Sequence, residues 1–227
     1  MSLFLPHRRI LAGARAFDLD AWLVANNGAL FDFARTDTTF QEAVGPTPAD
    51  DVGETIGLAL SRAGWGGRTL AQVSAAAPEL CVNGTFGSSI TGWLDKSSGP
   101  SYCAWDASGQ AKMFAGNTAR LRQGMTVSSG RVLRYGWAVT AGTIACSIGT
   151  AEADGTYGTL GGGGVTTIDR FVPAVAAGFW LNFFTGADSL LDNVSVKEVA
   201  RHSALQSTAG SRAQRQAAGG KFDGGDD

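Results

Sequence analysis

Between Cys81 and Val199 short runs in which apolar and polar residues alternate follow one another, separated by clusters of Gly, Ser, Asn and Asp. In "ARLRQGMTV" Ala119, Leu121, Gln123, Met125 and Val127 share one face, while Arg120, Arg122 and Thr126 share the other. "RVLRYGWAV" turns Leu133, Tyr135, Trp137 and Val139 inward and Arg134 outward. A period of two marks a half-buried strand, because successive side chains leave opposite faces of a pleated sheet. Short strands in series, punctuated by turn residues, predict a mainly β domain of the sandwich or jelly-roll kind.

On either side of this stretch the pattern weakens. Over 17–68 short apolar clusters alternate with turn residues, and Asn27-Gly28 between "WLVA" and "ALFDF" predicts a two-residue hairpin, since both residues tolerate positive φ. Pro46 and Pro48 exclude a central strand there. "TLAQVSAAAPEL" predicts one or two helical turns before Pro78. This region has little core of its own and is expected to become ordered by packing on a neighbour. The residues after Val199 are polar and small, without an apolar face, so they cannot fold alone and are expected to dock on a neighbouring subunit or stay flexible. The expected organisation is an anchoring and oligomerising segment over 1–77, a jelly roll over 78–199 and a polar tail over 200–227. "GTYGTLGGGGVTT" is expected to be a loop; it lacks the Lys-Ser/Thr pair of a phosphate loop.

Composition narrows the function classes. With 32 Gly and 17% charged residues in 227, the chain favours turns and short strands over long solvated helices. The net charge of -2 contains no basic block: 6 basic and 8 acidic residues fall in 1–77, 8 and 9 in 78–199, and 4 and 3 in 200–227. Nucleic-acid binding leaves a positive footprint that is missing here. Cys81, Cys103 and Cys146 are odd in number and lack CxxC spacing, so neither a disulfide framework nor a zinc site is expected; Cys146 shares a face with Ile144 and Ile148 as a small core residue. The N-terminal stretch "MSLFLPHRRILAGARAF" is broken by Pro6, arginines and Gly13, a poor signal peptide and too short an apolar run to span a membrane. Synthesis in a cytoplasm without membrane insertion is the expectation.

Catalytic chemistry finds little purchase. Both histidines, His7 and His202, lie outside the predicted sandwich, so it holds no Ser-His-Asp or Cys-His arrangement. Asp95, Asp106, Glu152, Asp154, Asp169 and Asp188 sit in turn-like contexts rather than as a facing acid pair. The expectation is a protein that is not an enzyme.

Two stretches carry a family resemblance. "CVNGTFGSSITGW" and, about a hundred residues later, "LLDNVSVKEV" resemble the first and last strands of galactose-binding-like, carbohydrate-binding-module-like jelly rolls found in tail-fibre and other structural proteins of phages and prophages. The intervening "AGNTARLRQGMTVSSGRVLRYGWAVTAGTIACSIGT" has a similar cadence, and "TDTTFQEAVGPTPADDVGETIGLALSR" looks like a motif that precedes such domains in virion proteins. The resemblance implies a tail fibre or head spike of a phage-like virion, or a spike of a gene transfer agent. Its implied partners are other virion proteins, further copies of itself as a trimer or pentamer, and host cell-surface polysaccharide, with no nucleic acid. The virion is the implied location, reached from a bacterial cytoplasm. A spacer that docks a further fibre is the alternative, and a capsule depolymerase a third. The family often carries structural calcium near an aspartate of its last strand, here Asp192, but Gly87 stands where many relatives have an acidic residue, so one anionic ligand is missing and no cofactor is expected.

Sugar recognition needs an aromatic face beside hydrogen-bonding groups. Trp93 matches the family's "GW" and Trp137 lies on the apolar face of its strand, so both are expected in the core. Tyr102, Trp105, Tyr157 and Trp180 remain as candidates. Trp180, alternating against Phe179, Leu181 and Phe183, is the foremost; Arg134, outward on its strand, is a contact for an anionic polysaccharide.

Overall fold

The computed structural model describes residues 18–33, 35–41, 47–52, 54–205, 213–216 and 219–221. In chain order its elements are helix α1 (Leu19–Ala25), strands β1 (Thr39–Phe40), β2 (Thr55–Ile56) and β3 (Leu58–Leu60), and helix α2 (Leu70–Ala76). Strands β4 (Leu94–Asp95), β5 (Tyr102–Asp106), β6 (Gln110–Phe114), β7 (Ala119–Thr126), β8 (Val132–Ala141), β9 (Ile144–Gly149) and β10 (Gly158–Gly163) follow. The last six are β11 (Thr166–Pro173), β12 (Gly178–Thr185), β13 (Ser189–Ala200), β14 (Ser203–Leu205), β15 (Ala213–Gln216) and β16 (Gly219–Lys221).

Two antiparallel five-stranded sheets pack face to face, one in the order β10-β9-β12-β7-β4 and the other β11-β8-β13-β6-β5. From β7 onward the chain crosses between them repeatedly, the habit of a jelly-roll sandwich. The period of two holds throughout: Leu121, Phe179, Leu181 and Phe183 of one sheet meet Leu133, Trp137, Val139, Leu191 and Val196 of the other in one core. Trp137 stands edge-on to Phe183 at 5.0 Å, and Trp93 lies 5.9 Å from Phe183, so both tryptophans are core residues as expected. Each such side chain contributes about 1.5–3 kcal/mol by leaving water. Cys146 is fully buried between Ile144 and Ile148, and burial pushes its thiol far above the ordinary range. Gln123 also faces inward, and its amide is fully paired: Nε2 donates to Val82 O at 2.9 Å and Gly92 O at 3.0 Å, and Oε1 accepts from Val82 N at 2.8 Å. That bracket fastens the 82–92 stretch to β7.

The 82–92 stretch itself differs from expectation. Cys81–Trp93 resembles a first strand, yet it forms turns with Asn83 and Phe86 at φ 51° and 46°. It caps the end of the sandwich with Phe86 as a fully buried plug. Gly84 approaches Val194 O so closely that a Cβ would lie 1.9 Å from it, which only glycine permits. "LLDNVSVKEV" therefore does not close a sheet against a strand at Cys81. It lies in β13, the centre of its sheet between β8 and β6, and touches the capping stretch through Leu80 N–H to Val196 O and Val194 N–H to Gly84 O, each 2.9 Å. The glycine-rich segment expected as a loop supplies β10, an edge strand with an irregular register beyond Leu160, a position where missing side chains cost the sheet little.

The expected hairpin at Asn27-Gly28 is a helix end. Asp18 caps α1 by accepting from Ala21 N, and Asn27 takes the left-handed conformation at φ 52°. Gly28 N then bonds Leu23 O at 2.7 Å and Asn27 N bonds Val24 O, the Schellman pattern. Helix α2 begins with a capping box in which Thr69 and Gln72 satisfy each other's backbone, matching the predicted turns before Pro78.

These upstream elements find their neighbour within the chain. Phe40, Leu58, Leu60, Trp65, Leu70 and Val73 form a second core with Val132, Phe171, Val199 and Ala200, at the end of the β11-β8-β13 sheet. Phe40 and Phe171 lie 4.8 Å apart. The backbone after Ala200 joins the same unit, since β14 pairs with β3 and β15 with β2.

Candidate functional site

The two sheets offer two outer faces, and among the described residues the upstream elements cover only one. On the β11-β8-β13-β6-β5 side, α2 lies across the outward residues of β8 and β13. Arg134 donates to Asp169 through Nε at 2.9 Å and Nη2 at 2.7 Å, and through Nη1 to Ser74 Oγ at 3.1 Å. Asp169 holds the Arg134 guanidinium above its ordinary pKa. Lys197 Nζ donates to Ser74 O at 2.9 Å, a cation at the helix C-terminus where the dipole favours one. A groove of 510 Å³ remains between α2 and the sheet, floored by Gly136 and Ala138. Its charged groups already serve one another and hold the helix.

The outer face of β10-β9-β12-β7-β4 is open among the described residues and is built differently. The register sets Trp180 between Gly124 and Gly149, Asn182 between Arg122 and Ser147, and Phe184 between Arg120 and Ala145. With glycine on both flanks, the Trp180 indole lies over the sheet: a Cβ at position 124 would fall 2.4 Å from its Cε2. One row away, Arg122 donates through Nη1 to Glu152 Oε1 at 2.8 Å. Lys96 reaches the same carboxylate at 3.6 Å. Arg120, Arg122, Ser147, Ala153, Asn182 and Phe184 line a hollow of 240 Å³ beside this row.

The hollow is walled by the β9–β10 turn, which folds back over the sheet. Ala153 N donates to Asn182 Oδ1 at 3.1 Å and Asn182 Nδ2 donates to Ser147 O at 3.3 Å, so Asn182 is buried although it points outward. The turn is organised by Asp154, whose carboxylate accepts from Thr150 N, Thr150 Oγ1, Thr156 N and Thr156 Oγ1. The hydroxyl of Thr156, then the amide and hydroxyl of Thr150, hold that carboxyl far below the ordinary range.

The candidates read from the sequence do not converge. Trp180 stands on the open face. Arg134 lies on the other, under α2. Tyr102 is exposed on the outer side of edge strand β5, stacked on Phe114 at 4.3 Å. Trp105 sits at the sandwich rim with its Nε1 donating to Phe86 O at 2.8 Å. Tyr157 packs 5.7 Å from Phe179 and accepts from Val175 N at 2.9 Å, a bracing role at the end of the core. Asp192 accepts from Asn193 N at 2.7 Å, at the bulge of β13. Among the described residues the acidic group compact enough for a metal is Asp50, Asp51 and Glu54, which does not include Asp192. Glu54 there accepts from Asp50 N, Asp51 N and Gln41 Nε2, bonds that shape a turn.

Asn182, Phe184 and Ser147 carry no binding signature in the sequence, Arg122 shows there only as an outward residue, and Glu152 only as an acid in a turn. Parity in "ARLRQGMTV" and "GFWLNFF" does place Arg120, Arg122, Asn182 and Phe184 outward; what it lacks is the register that brings the two strands side by side.

No protein-family model matches the chain, and no curated protein matches it. Among solved structures it is similar to one described as CBM4, at 14% identity and a TM-score of 0.42, over 52% of this chain and 98% of that one. It is similar to TmCBM61 in complex with β-1,4-galactotriose, at 10% identity and a TM-score of 0.38, over 54% and 99%. It is also similar to the enzymatically active domain of bacteriophage CBA120 tailspike protein 4, at 20% identity and a TM-score of 0.37, over 53% of this chain and 21% of that one. Identities this low speak of fold alone, and the assignment as a mainly β sandwich stands on the two sheets described above.

Proposed function

We propose that this chain is a non-catalytic, carbohydrate-recognising attachment protein whose binding surface is the open face of the β10-β9-β12-β7-β4 sheet. The observation that carries the reading is Trp180, an indole laid over the sheet between two glycines and next to the Arg122–Asn182–Ser147 row. Pyranose rings present apolar C–H faces edged by hydroxyls, so they match a flat aromatic ring beside fixed donors and acceptors. The wider setting is a fibre or spike of a phage-like virion facing host surface polysaccharide, with copies assembled so that weak single sites act together; the resemblance at both ends of the sandwich supports it.

The test is a glycan array and a capsule pull-down with the full chain and Trp180→Ala. Binding by the parent that falls at least tenfold in the variant is the expected result. Unchanged binding in Trp180→Ala would remove the open face as the site. If no glycan binds at all, the sandwich acts as a spacer that docks another fibre component. Release of reducing ends from capsule would overturn the non-catalytic reading.

A further inference from the structure

The same face carries a charge arrangement that an uncharged sugar does not explain. Lys96, Arg120 and Arg122 stand on or beside it, and the carboxylate that answers Lys96 and Arg122 is Glu152, delivered by the β9–β10 turn. Two further acids close by are engaged elsewhere. Asp95 accepts from Cys103 N at 2.9 Å and Ser97 N at 2.9 Å, and Asp154 is enclosed by its own turn. Arg122 is the informative member. Its side chain is only 12% exposed, its Nη1 meets Glu152, and its Nε is buried without a partner. A guanidinium carries five N–H donors in a planar fork suited to a carboxylate, and here one of them is answered by a side chain. Glu152, by contrast, is 37% exposed on a turn. The more replaceable partner is the carboxylate.

Resting on the proposed open-face site, we infer that its ligand is an acidic glycan, recognised through a sugar carboxylate by Arg122 and Arg120, and that Glu152 is a built-in stand-in which the ligand's carboxylate displaces. Trp180 then stacks the ring, Arg120 and Arg122 hold its carboxylate, and the Glu152 side chain swings to solvent. The exchange replaces one carboxylate by another on the same guanidinium, so no buried charge is left unpaired during binding. Glu152 has two consequences. It keeps Arg122 oriented before ligand arrives, and it sets a threshold that neutral sugars, having no charge to offer, do not overcome at the arginine row.

The experiment compares three uronate polymers of different linkage, polygalacturonate, alginate and hyaluronate, with their carboxyl-reduced counterparts, using the full chain in affinity electrophoresis and calorimetry. The expected result is preference for at least one charged polymer over its reduced form by about tenfold or more, as charge-assisted hydrogen bonds require. That preference should collapse in about 0.5 M salt. Glu152→Gln should tighten binding of the charged polymer by about twofold to fivefold, the scale of a partly exposed ion pair, without tightening the reduced one. Arg122→Gln should remove the preference; because Arg122 is largely buried, the exposed Arg120→Gln provides a second reading, with a partial loss. Equal binding of charged and reduced polymers, or weaker binding in Glu152→Gln, overturns the acidic-glycan inference while a loss in Trp180→Ala still upholds the open-face site. Charged and reduced polymers both bound equally well by Trp180→Ala would instead overturn the site itself.

Discussion

The two outer faces of this sandwich are made from the same alphabet and used in opposite ways. On the covered face an arginine and a lysine, Arg134 and Lys197, hold α2, and an aromatic residue, Phe171, is buried against Phe40. On the open face an arginine, Arg122, is held by a single carboxylate on a turn, and an aromatic residue, Trp180, lies half-buried over Gly124. Side chains with the same outward parity thus serve adhesion within the chain on one side and remain available on the other. The difference is made by what crosses over each sheet, a helix with a packed apolar stripe in one case and a short polar turn in the other.

That contrast can be broken most sharply by truncating one aromatic residue on each face. Phe171→Ala should cost about 3–5 kcal/mol in a denaturant titration, since it hollows the second core, and should leave glycan affinity unchanged while the protein is folded. Arg134→Gln should cost about 1–2 kcal/mol, allowing for its partial exposure, because it releases Asp169 and the end of α2 together. Trp180→Ala should cost only about 1 kcal/mol, as befits a half-buried ring, but should remove most of the binding. An equal stability loss for Phe171→Ala and Trp180→Ala would erase the distinction between the faces. Gly124→Val sharpens it further: a side chain at 124 must push the indole off the sheet, so affinity should fall about tenfold with little change in melting. The smallest expected effect is one of acidity. The Asp154 carboxyl is held low by the Thr156 and Thr150 bonds, so the stabilisation of the turn is complete above the unfolded carboxyl pKa, near 4, and fades as pH falls below it toward the folded value. Hydrogen exchange at Ala153 and Thr156 should therefore be steady at neutral pH and quicken, beyond its intrinsic pH dependence, only in acid.

Much of this was legible in the sequence because parity is a local property. Alternation placed Trp137 and Leu121 inward and Trp180 and Arg122 outward without any knowledge of neighbours. It could not say that α2 would lie over Arg134, or that the β9–β10 turn would return to bury Asn182, since both depend on contacts between residues far apart in the chain. Two misreadings share another cause. Asn27-Gly28 supplies positive φ, which a tight hairpin and a helix terminus both require, and propensity alone does not choose between them. Cys81–Trp93 resembles a family's first strand, but the close approach of Gly84 to Val194 and the Gln123 bracket bend it into a cap. Tyr157 was a fair aromatic candidate until its hydroxyl met Val175 N, a partner set by tertiary packing.

The pairing of β14 with β3 bears on how the chain is made. Leu58–Leu60 has β1 on one side and Ser203–Leu205 on the other, so the central strand of that small sheet must wait for a partner encoded after the whole sandwich. Its second core also needs Phe171 and Val199, which appear late in synthesis. The β1–β3 segment, made before the sandwich, is thus completed after it, a non-local closure that follows sandwich formation. A nascent chain halted just after Ala200 has the sandwich strands complete and an upstream sheet lacking one edge, which makes synthesis of Ser203–Leu205 the event that closes the small sheet on the face of the sandwich.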